Sequence, residues 1–98
     1  MGTIFVQGEL IEKEEIPTLS FPAQEVLLEE TLIAERISKI RQAMRLGNSA
    51  KLKVKIVFED ATGMKIVETT IWGVTDQRII LKKSIAIPIC RVHDIKFF

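Results

Sequence analysis

The stretch KLKVKIVFEDATGMKIVETT, residues 51–70, decides the fold. Its first half alternates lysines with apolar residues, and this period of two is typical of a strand with one buried face. DATG, residues 60–63, then predicts a short hairpin, because Gly63 is able to take the left-handed conformation that tight turns need. The return strand is predicted to run through residues 64–74 and to bend at Gly73, with Trp72 in the core beneath the bend.

Three further strands are predicted beyond this hairpin: RIILK at 78–82, IAIPI at 85–89 and IKFF at 95–98. Pro88 has no backbone N–H to donate, so it is expected at the edge of a sheet or where strand pairing ends. Five short strands within residues 51–98, one of them bent, predict a small closed β-barrel rather than an open sheet.

Residues 22–46 predict one long helix before the strands. Pro22 suits a first helical turn, and the Gly47-Asn48 pair is a typical stop signal. The face expected to pack on the core is the apolar stripe of Val26, Ile33, Ile37, Ile40 and Met44. Residues 1–21 are predicted to be an extended segment and connector, with moderate strand character at TIFVQ, residues 3–7.

Length and composition limit the class of protein. A chain of 98 residues predicts a single domain over residues 1–98 with one modest core. Cys90 is the single cysteine, so no intramolecular disulfide forms and a reducing compartment is expected. The N-terminus lacks the pattern of a secretory signal, and no apolar run is long enough to span a bilayer. The sequence therefore predicts a cytoplasmic protein without membrane, cofactor or metal.

Several segments resemble the Sm-like family of small β-barrels. The resemblance covers residues 22–98 and lies in the long helix before five strands, in VKIVFEDATG and VTDQRIIL, and in the corner IPICRVHDIKF. It implies a five-stranded barrel, RNA binding and assembly into rings. Asp76 matches an aspartate of the family's turn, whereas Ile79 and Ile80 stand where its base-contacting asparagine lies. VTDQRIILKK is also similar to a strand pair of bacterial pleckstrin-homology-like barrels, which is the alternative fold.

The corner IPICRVHD, residues 87–94, holds the single cysteine and the single histidine, three positions apart. Thiol catalysis needs a base beside the thiol and a supporting set of groups. No second histidine, glycine-rich phosphate loop or nucleophile elbow accompanies the pair. We therefore predict no catalytic residues, with Cys90 as a small filler and Arg91, His93 and Asp94 facing solvent.

A basic block suggests a binding function. Residues 36–58 contain seven lysines and arginines and no acidic residue. Because alternate strand residues lie about 6.5–7 Å apart, lysines on one face are able to follow a phosphate backbone. The sequence predicts a non-catalytic module that binds single-stranded RNA or DNA through Lys51, Lys53, Lys55 and Arg45.

A second hypothesis is a structural or regulatory module that forms homo-oligomers. Leu28 and Leu32 lie off the predicted apolar stripe and need another neighbour, either within the chain or on a second copy. The strand edge at Pro88 is another candidate contact. In this reading, the lysines only keep an exposed strand soluble.

Overall fold

The computed structural model describes residues 8–98, so the strand predicted at residues 3–7 lies outside the described part. These residues form one α-helix and seven strands, with three short 3-10 helices at Lys13–Thr18, Lys82–Ser84 and Ile89–Arg91. The other elements are β1 (Glu9–Leu10), α1 (Glu30–Ala50), β2 (Val54–Asp60), β3 (Gly63–Thr69), β4 (Gly73–Val74), β5 (Arg78–Ile80), β6 (Ala86–Pro88) and β7 (Val92–Phe97).

The predicted hairpin is confirmed. Strands β2 and β3 pair antiparallel with Asp60 opposite Gly63, which leaves a two-residue loop. The buried Asp60 carboxylate accepts hydrogen bonds from the backbone N–H groups of Thr62 and Gly63, both at 3.0 Å, and from Lys65 at 3.2 Å. Burial alone would raise the pKa of Asp60, but these hydrogen bonds outweigh it and hold the pKa below its ordinary value. The charged carboxylate thereby fixes the turn.

The predicted closed five-stranded barrel is wrong, and so is the alternative barrel. The strands form two separate sheets, a mixed one in the order β1-β3-β2-β7 and an antiparallel one in the order β4-β5-β6. The return strand ends at Thr69 instead of bending, and three residues outside the ladders lead to β4. The close approach of α1 is the physical reason that the strand does not bend into a barrel. A Cβ on Gly47 would clash with the carbonyl oxygen of the buried Ile71. The ladder therefore does not continue past this point.

The helix also differs from its predicted bounds of 22–46. It begins at Glu30, because the preceding connector is held against the strands; the Val26 N–H donates to the Cys90 carbonyl at 2.9 Å. It continues through Gly47 and ends at Ala50. The residue that stops it is Lys51, in the left-handed conformation (φ 54°), whose N–H bonds to the Gly47 carbonyl.

The buried face of α1 is rotated from the predicted apolar stripe. It consists of Arg36, Ile40, Ala43 and Gly47. Of the predicted stripe only Ile40 is fully buried, whereas Ile37 is 39% exposed. Small residues at 43 and 47 let the helix approach the sheets closely, and the ion pair of Arg36 makes its burial possible. Hydrophobicity alone did not indicate either effect.

The core lies between α1 and the two sheets and is rich in isoleucine. Its largest fully buried side chains include Phe58, Ile16, Ile56, Ile71, Ile79, Leu81 and Ile87. Ile16 belongs to the first 3-10 helix, so the N-terminal segment contributes to the core. Within residues 8–98, no helix combines the length and the apolar character that crossing a membrane requires.

Candidate functional site

A pocket of about 490 Å³ opens where the end of α1, the end of β3 and the turn at residues 82–84 meet. We call it the cationic pocket. Its lining consists of Lys13, Gly47, Asn48, Lys51, Lys53, Thr69, Thr70, Trp72 and Lys82.

Three separate segments of the chain place the pocket's four lysines. Lys13 begins the first 3-10 helix, and Lys51 caps α1. Lys53 lies in the three-residue link between α1 and β2, and Lys82 begins the turn after β5. That turn is tight, since its next two residues have positive φ angles of 65° and 61°. The four ammonium groups therefore meet only through tertiary structure.

The charge of the pocket is positive and only partly compensated. No acidic side chain contributes to the lining. Lys13 lies 3.2 Å from Glu14, a solvent-exposed pair of little energetic weight. Among the described residues, Lys51, Lys53 and Lys82 form no ion pair. Like charges that converge without counter-charges create a potential that attracts anions.

Trp72 supplies an aromatic surface at the same pocket. It is 55% exposed, so the prediction that it packs in the core beneath a strand bend is wrong. The residue before it, Ile71, takes the core position, and the Trp72 N–H donates to the Ile80 carbonyl at 2.9 Å. The backbone is thus fixed while the indole ring faces the pocket. An exposed ring beside cations is suited to a planar, anionic ligand.

The structure separates the four predicted binding residues. Lys51 and Lys53 lie together in the cationic pocket, but they precede β2 and do not form one face of it. Lys55 lies on β2, 3.9 Å from Glu68, and Arg45 lies exposed on α1 outside the lining.

Sequence reasoning missed three residues of the pocket: Lys13, Lys82 and the role of Trp72. The last two had a weak local signal, a lysine pair in a turn and the single tryptophan. No spacing connects residues 13 or 82 to residues 51–53, because only the folded chain brings them together.

Charges at the other end of α1 are paired instead. Arg36 is 4% exposed and binds both oxygens of Glu25, at 2.7 and 2.6 Å, and the Val92 carbonyl at 3.0 Å. The hydrogen bonds from Arg36 lower the pKa of Glu25 below its ordinary value. This contact holds the connector against the start of the helix. We call these contacts, together with those of Lys39 with Asp94 and of Glu59 with Arg91 and His93, the paired network.

Arg91 and Asp94 extend this network to the sheet. Arg91 is 6% exposed and donates to the carbonyls of Glu59 at 3.0 Å and Gln24 at 2.7 Å, so the prediction that it faces solvent is wrong. Asp94 accepts a hydrogen bond from Lys39 at 2.8 Å. Burial raises the pKa of Asp94, but the hydrogen bonds from Lys39 and from the Ile95 N–H, together with the charges of Lys39 and Lys96, outweigh it, and the net direction is downward. These side chains tie the connector and α1 to β7.

The structure directs Cys90 and His93 to different partners. The Cys90 thiol donates to the Ala23 carbonyl at 3.7 Å, whereas His93 Nε2 lies 2.8 Å from a Glu59 carboxylate oxygen. The two side chains therefore do not form the thiol–base pair that their spacing in the sequence suggested. In the part of the chain that the structure describes, no three His, Cys, Asp or Glu side chains are placed to share a metal ion.

The residues predicted for self-association lie on the surface. Leu28 is 93% exposed in the connector, and Leu32 is 41% exposed on the first turn of α1. Pro88 lies on β6, which pairs only with β5, so its predicted place at a sheet edge is confirmed.

Comparison of the chain with models of known protein families, with characterised proteins and with solved structures found no match. The resemblance to Sm-like proteins thus stays a prediction, and the functional argument rests on the site itself.

Proposed function

We propose that the protein is a non-catalytic module that binds single-stranded nucleic acid in the cationic pocket. The observation that carries this proposal is that three lysines without ion-pair partners and one exposed tryptophan line the same pocket. A ligand that satisfies both must carry several negative charges and a flat aromatic surface. A nucleic acid strand has both in every residue.

The proposal favours single strands over duplexes for a physical reason. Every base has a π-face that is able to stack on an indole ring, but in a duplex that face is covered by neighbouring base pairs. The lysines would meanwhile neutralise phosphates and release counterions. If all four do so, the slope of log affinity against log salt is about −2.8 for a single strand.

Fluorescence anisotropy of a labelled oligouridylate of about eight nucleotides, titrated between about 50 and 200 mM salt, tests the proposal. The critical variant is Lys51→Gln with Lys53→Gln, for which we expect the slope to fall to about −1.4. The matched control is Arg41→Gln with Arg45→Gln, which removes two exposed cations of α1 outside the pocket lining. This control should keep the wild-type slope.

Two results would overturn the proposal. One is a wild-type protein that fails to bind the oligomer at about 50 mM salt. The other is an equal loss in both double variants, which would mean that the binding follows overall charge and has no defined site. Equal loss would also mean that Arg45 contributes to binding as the pocket lysines do.

We place this module in the cytoplasm. A reducing compartment suits a chain whose only cysteine, Cys90, is free.

Self-association is the second candidate function, and one observation favours it. Leu28 is 93% exposed, so no part of the described chain covers it. A second copy of the chain that packs on Leu28 and Leu32, or that extends the sheet at Pro88, would remove this apolar surface from water. Light scattering of the wild type and of Leu28→Glu with Leu32→Glu tests it. A wild-type oligomer that becomes monomeric in the variant supports this contact, and a wild-type monomer excludes it.

A further inference from the structure

The surface next to the cationic pocket continues its chemistry. Strand β2 begins directly after Lys53, and its second residue, Lys55, lies with its ammonium 5.6 Å from the ring centroid of Phe98. Phe98 is 77% exposed. The Phe98 side chain therefore combines an exposed aromatic surface with a neighbouring cation.

The register of β2 and β7 shows how close this ring is to the pocket. Val54 pairs with Phe97 and Lys55 pairs with Lys96. Lys53 and Phe98 each lie one residue beyond the pair of Val54 and Phe97, so the segment that carries Lys53 enters β2 at the same end of the ladder at which Phe98 lies. Because Lys53 also lines the cationic pocket, it connects the pocket to Phe98.

Acidic residues mark where this basic surface ends. Beyond Lys55, Glu68 lies 3.9 Å from its ammonium, and beyond Lys96, Asp94 lies 3.5 Å from its ammonium. A polyanion would be repelled by an approach past these carboxylates. The basic and aromatic surface is thus limited to the pocket and the strip formed by Lys53, Lys55, Lys96 and Phe98.

We propose that a bound single strand leaves the cationic pocket over Lys53 and stacks a second base on Phe98. This inference rests on the proposed function and adds a path to it. Lys55 contacts the Phe98 ring and is tied to Glu68 only by a long, half-exposed ion pair, so it is able to turn toward a phosphate. The remaining exposed surface of the ring is open to a base.

Oligomers of different length distinguish stacking on Trp72 from stacking on Phe98. Oligouridylates of about two to about eight nucleotides are titrated into the wild type and into Trp72→Ala and Phe98→Ala. For the wild type we expect affinity to rise with length. Phe98→Ala should lower the affinity for the longest oligomer by about tenfold and leave the shortest within about twofold, because loss of one stacked base costs about 5- to 150-fold. Trp72→Ala should weaken binding at every length.

Two matched variants at Phe98 identify stacking as the cause. Phe98→Tyr keeps a flat ring and should retain the length dependence, whereas Phe98→Leu keeps apolar area without a ring and should behave like Phe98→Ala. Phe98 is exposed, so these changes leave the core intact.

The outcomes distinguish this inference from the proposed function. If short and long oligomers bind the wild type equally, or if Phe98→Ala binds them all as the wild type does, the path over Phe98 is wrong while the pocket stands. A loss of affinity in Phe98→Ala that is equal at every length also overturns the path, since even the shortest oligomer would then contact Phe98. If no oligomer binds at any length, both proposals fall.

Discussion

The two ends of α1 carry similar numbers of charged side chains and use them in opposite ways. At the start of the helix, Arg36 is buried and both of its terminal nitrogens bind Glu25. At the end of the helix, Lys51 and Lys53 project into an open pocket that no carboxylate lines. The first group of charges holds the connector, α1 and β7 together. The second contributes nothing comparable to the fold.

This difference gives a way to separate structural from functional charges in a small protein. A buried charge has to be paired, because burial without a partner costs several kcal/mol. An exposed charge needs no partner, and one lysine alone has no meaning. Several unpaired lysines that separate segments bring to one pocket with an exposed tryptophan are a different matter, since the same residues could have been spread over the surface at no cost in stability.

The largest effect is expected where the paired end is broken. Glu25→Ala removes both carboxylate oxygens from Arg36 and leaves a buried guanidinium with the Val92 carbonyl as its remaining acceptor. We expect the free energy of unfolding to fall by about 2–3 kcal/mol, less than the 3–5 kcal/mol of a fully buried pair, because the Glu25 side chain is 34% exposed. Urea denaturation measures this change.

The matched change at the other end is Lys53→Gln, which should alter the free energy of unfolding by less than about 0.5 kcal/mol. The Glu25→Ala protein, measured under conditions where it is still folded, should bind the oligouridylate with the affinity of the wild type. An unstable Lys53→Gln protein would show that the pocket lysines also support the fold, and the comparison would then lose its basis.

Acid should weaken the paired end first. In the folded protein the pKa values of Glu25, Asp60 and Asp94 lie below their ordinary values of 4.5, 3.8 and 3.8. A carboxyl group of this kind adds stability above its unfolded pKa and loses it as the pH falls through the folded pKa. We therefore expect a nearly constant free energy of unfolding between about pH 7 and 5 and a decline below about pH 5.

Glu25→Gln sharpens this test. At neutral pH it should be about 1–2 kcal/mol less stable than the wild type, since a neutral amide accepts weaker hydrogen bonds from Arg36 than a carboxylate does. Because the wild-type carboxylate is itself protonated in acid, the two denaturation curves should converge as the pH falls. A constant difference down to about pH 2 would show that the charge of Glu25 is not what stabilises the contact.

A small effect on stability, of the opposite sign, is expected at Lys51. Lys51 stops α1 with φ 54°, a conformation that glycine adopts without strain. Lys51→Gly should leave the free energy of unfolding unchanged or raise it by up to about 1 kcal/mol, while the salt slope of binding falls by about 0.7. Thermal denaturation and anisotropy measure the two changes. A clear loss of stability would give Lys51 a structural role and remove it from the binding account.

The sequence was sufficient for local features and insufficient for those that depend on the approach of the helix. Period-two alternation and the turn residues of DATG predicted the β2–β3 hairpin, and the missing N–H of Pro88 predicted an edge strand. The prediction of a closed barrel was wrong, because Gly47 lets α1 pack on Ile71 and β3 ends at Thr69. The prediction of the buried face of α1 was wrong, because Arg36 is buried through its contact with Glu25, eleven residues away.

The candidate site divides in the same way. Lys51 and Lys53 were indicated by a basic block along the chain, and the structure puts them in one pocket. Lys13 and Lys82 come from distant segments, so no pattern in the sequence joins them to that block. Trp72 was assigned to the core because large aromatic residues in strands usually supply burial, and here Ile71 supplies it instead.

The single tryptophan makes the central claim directly measurable without a label, because Trp72 is the only source of indole emission and lies in the cationic pocket. Titration of an oligouridylate of about eight nucleotides should quench this emission to saturation, and the apparent Kd should weaken about 50-fold between about 50 and 200 mM salt. Emission that the oligomer leaves unchanged, or a quench that salt does not weaken, would contradict the claim that the unpaired charges at the end of α1 form a binding site.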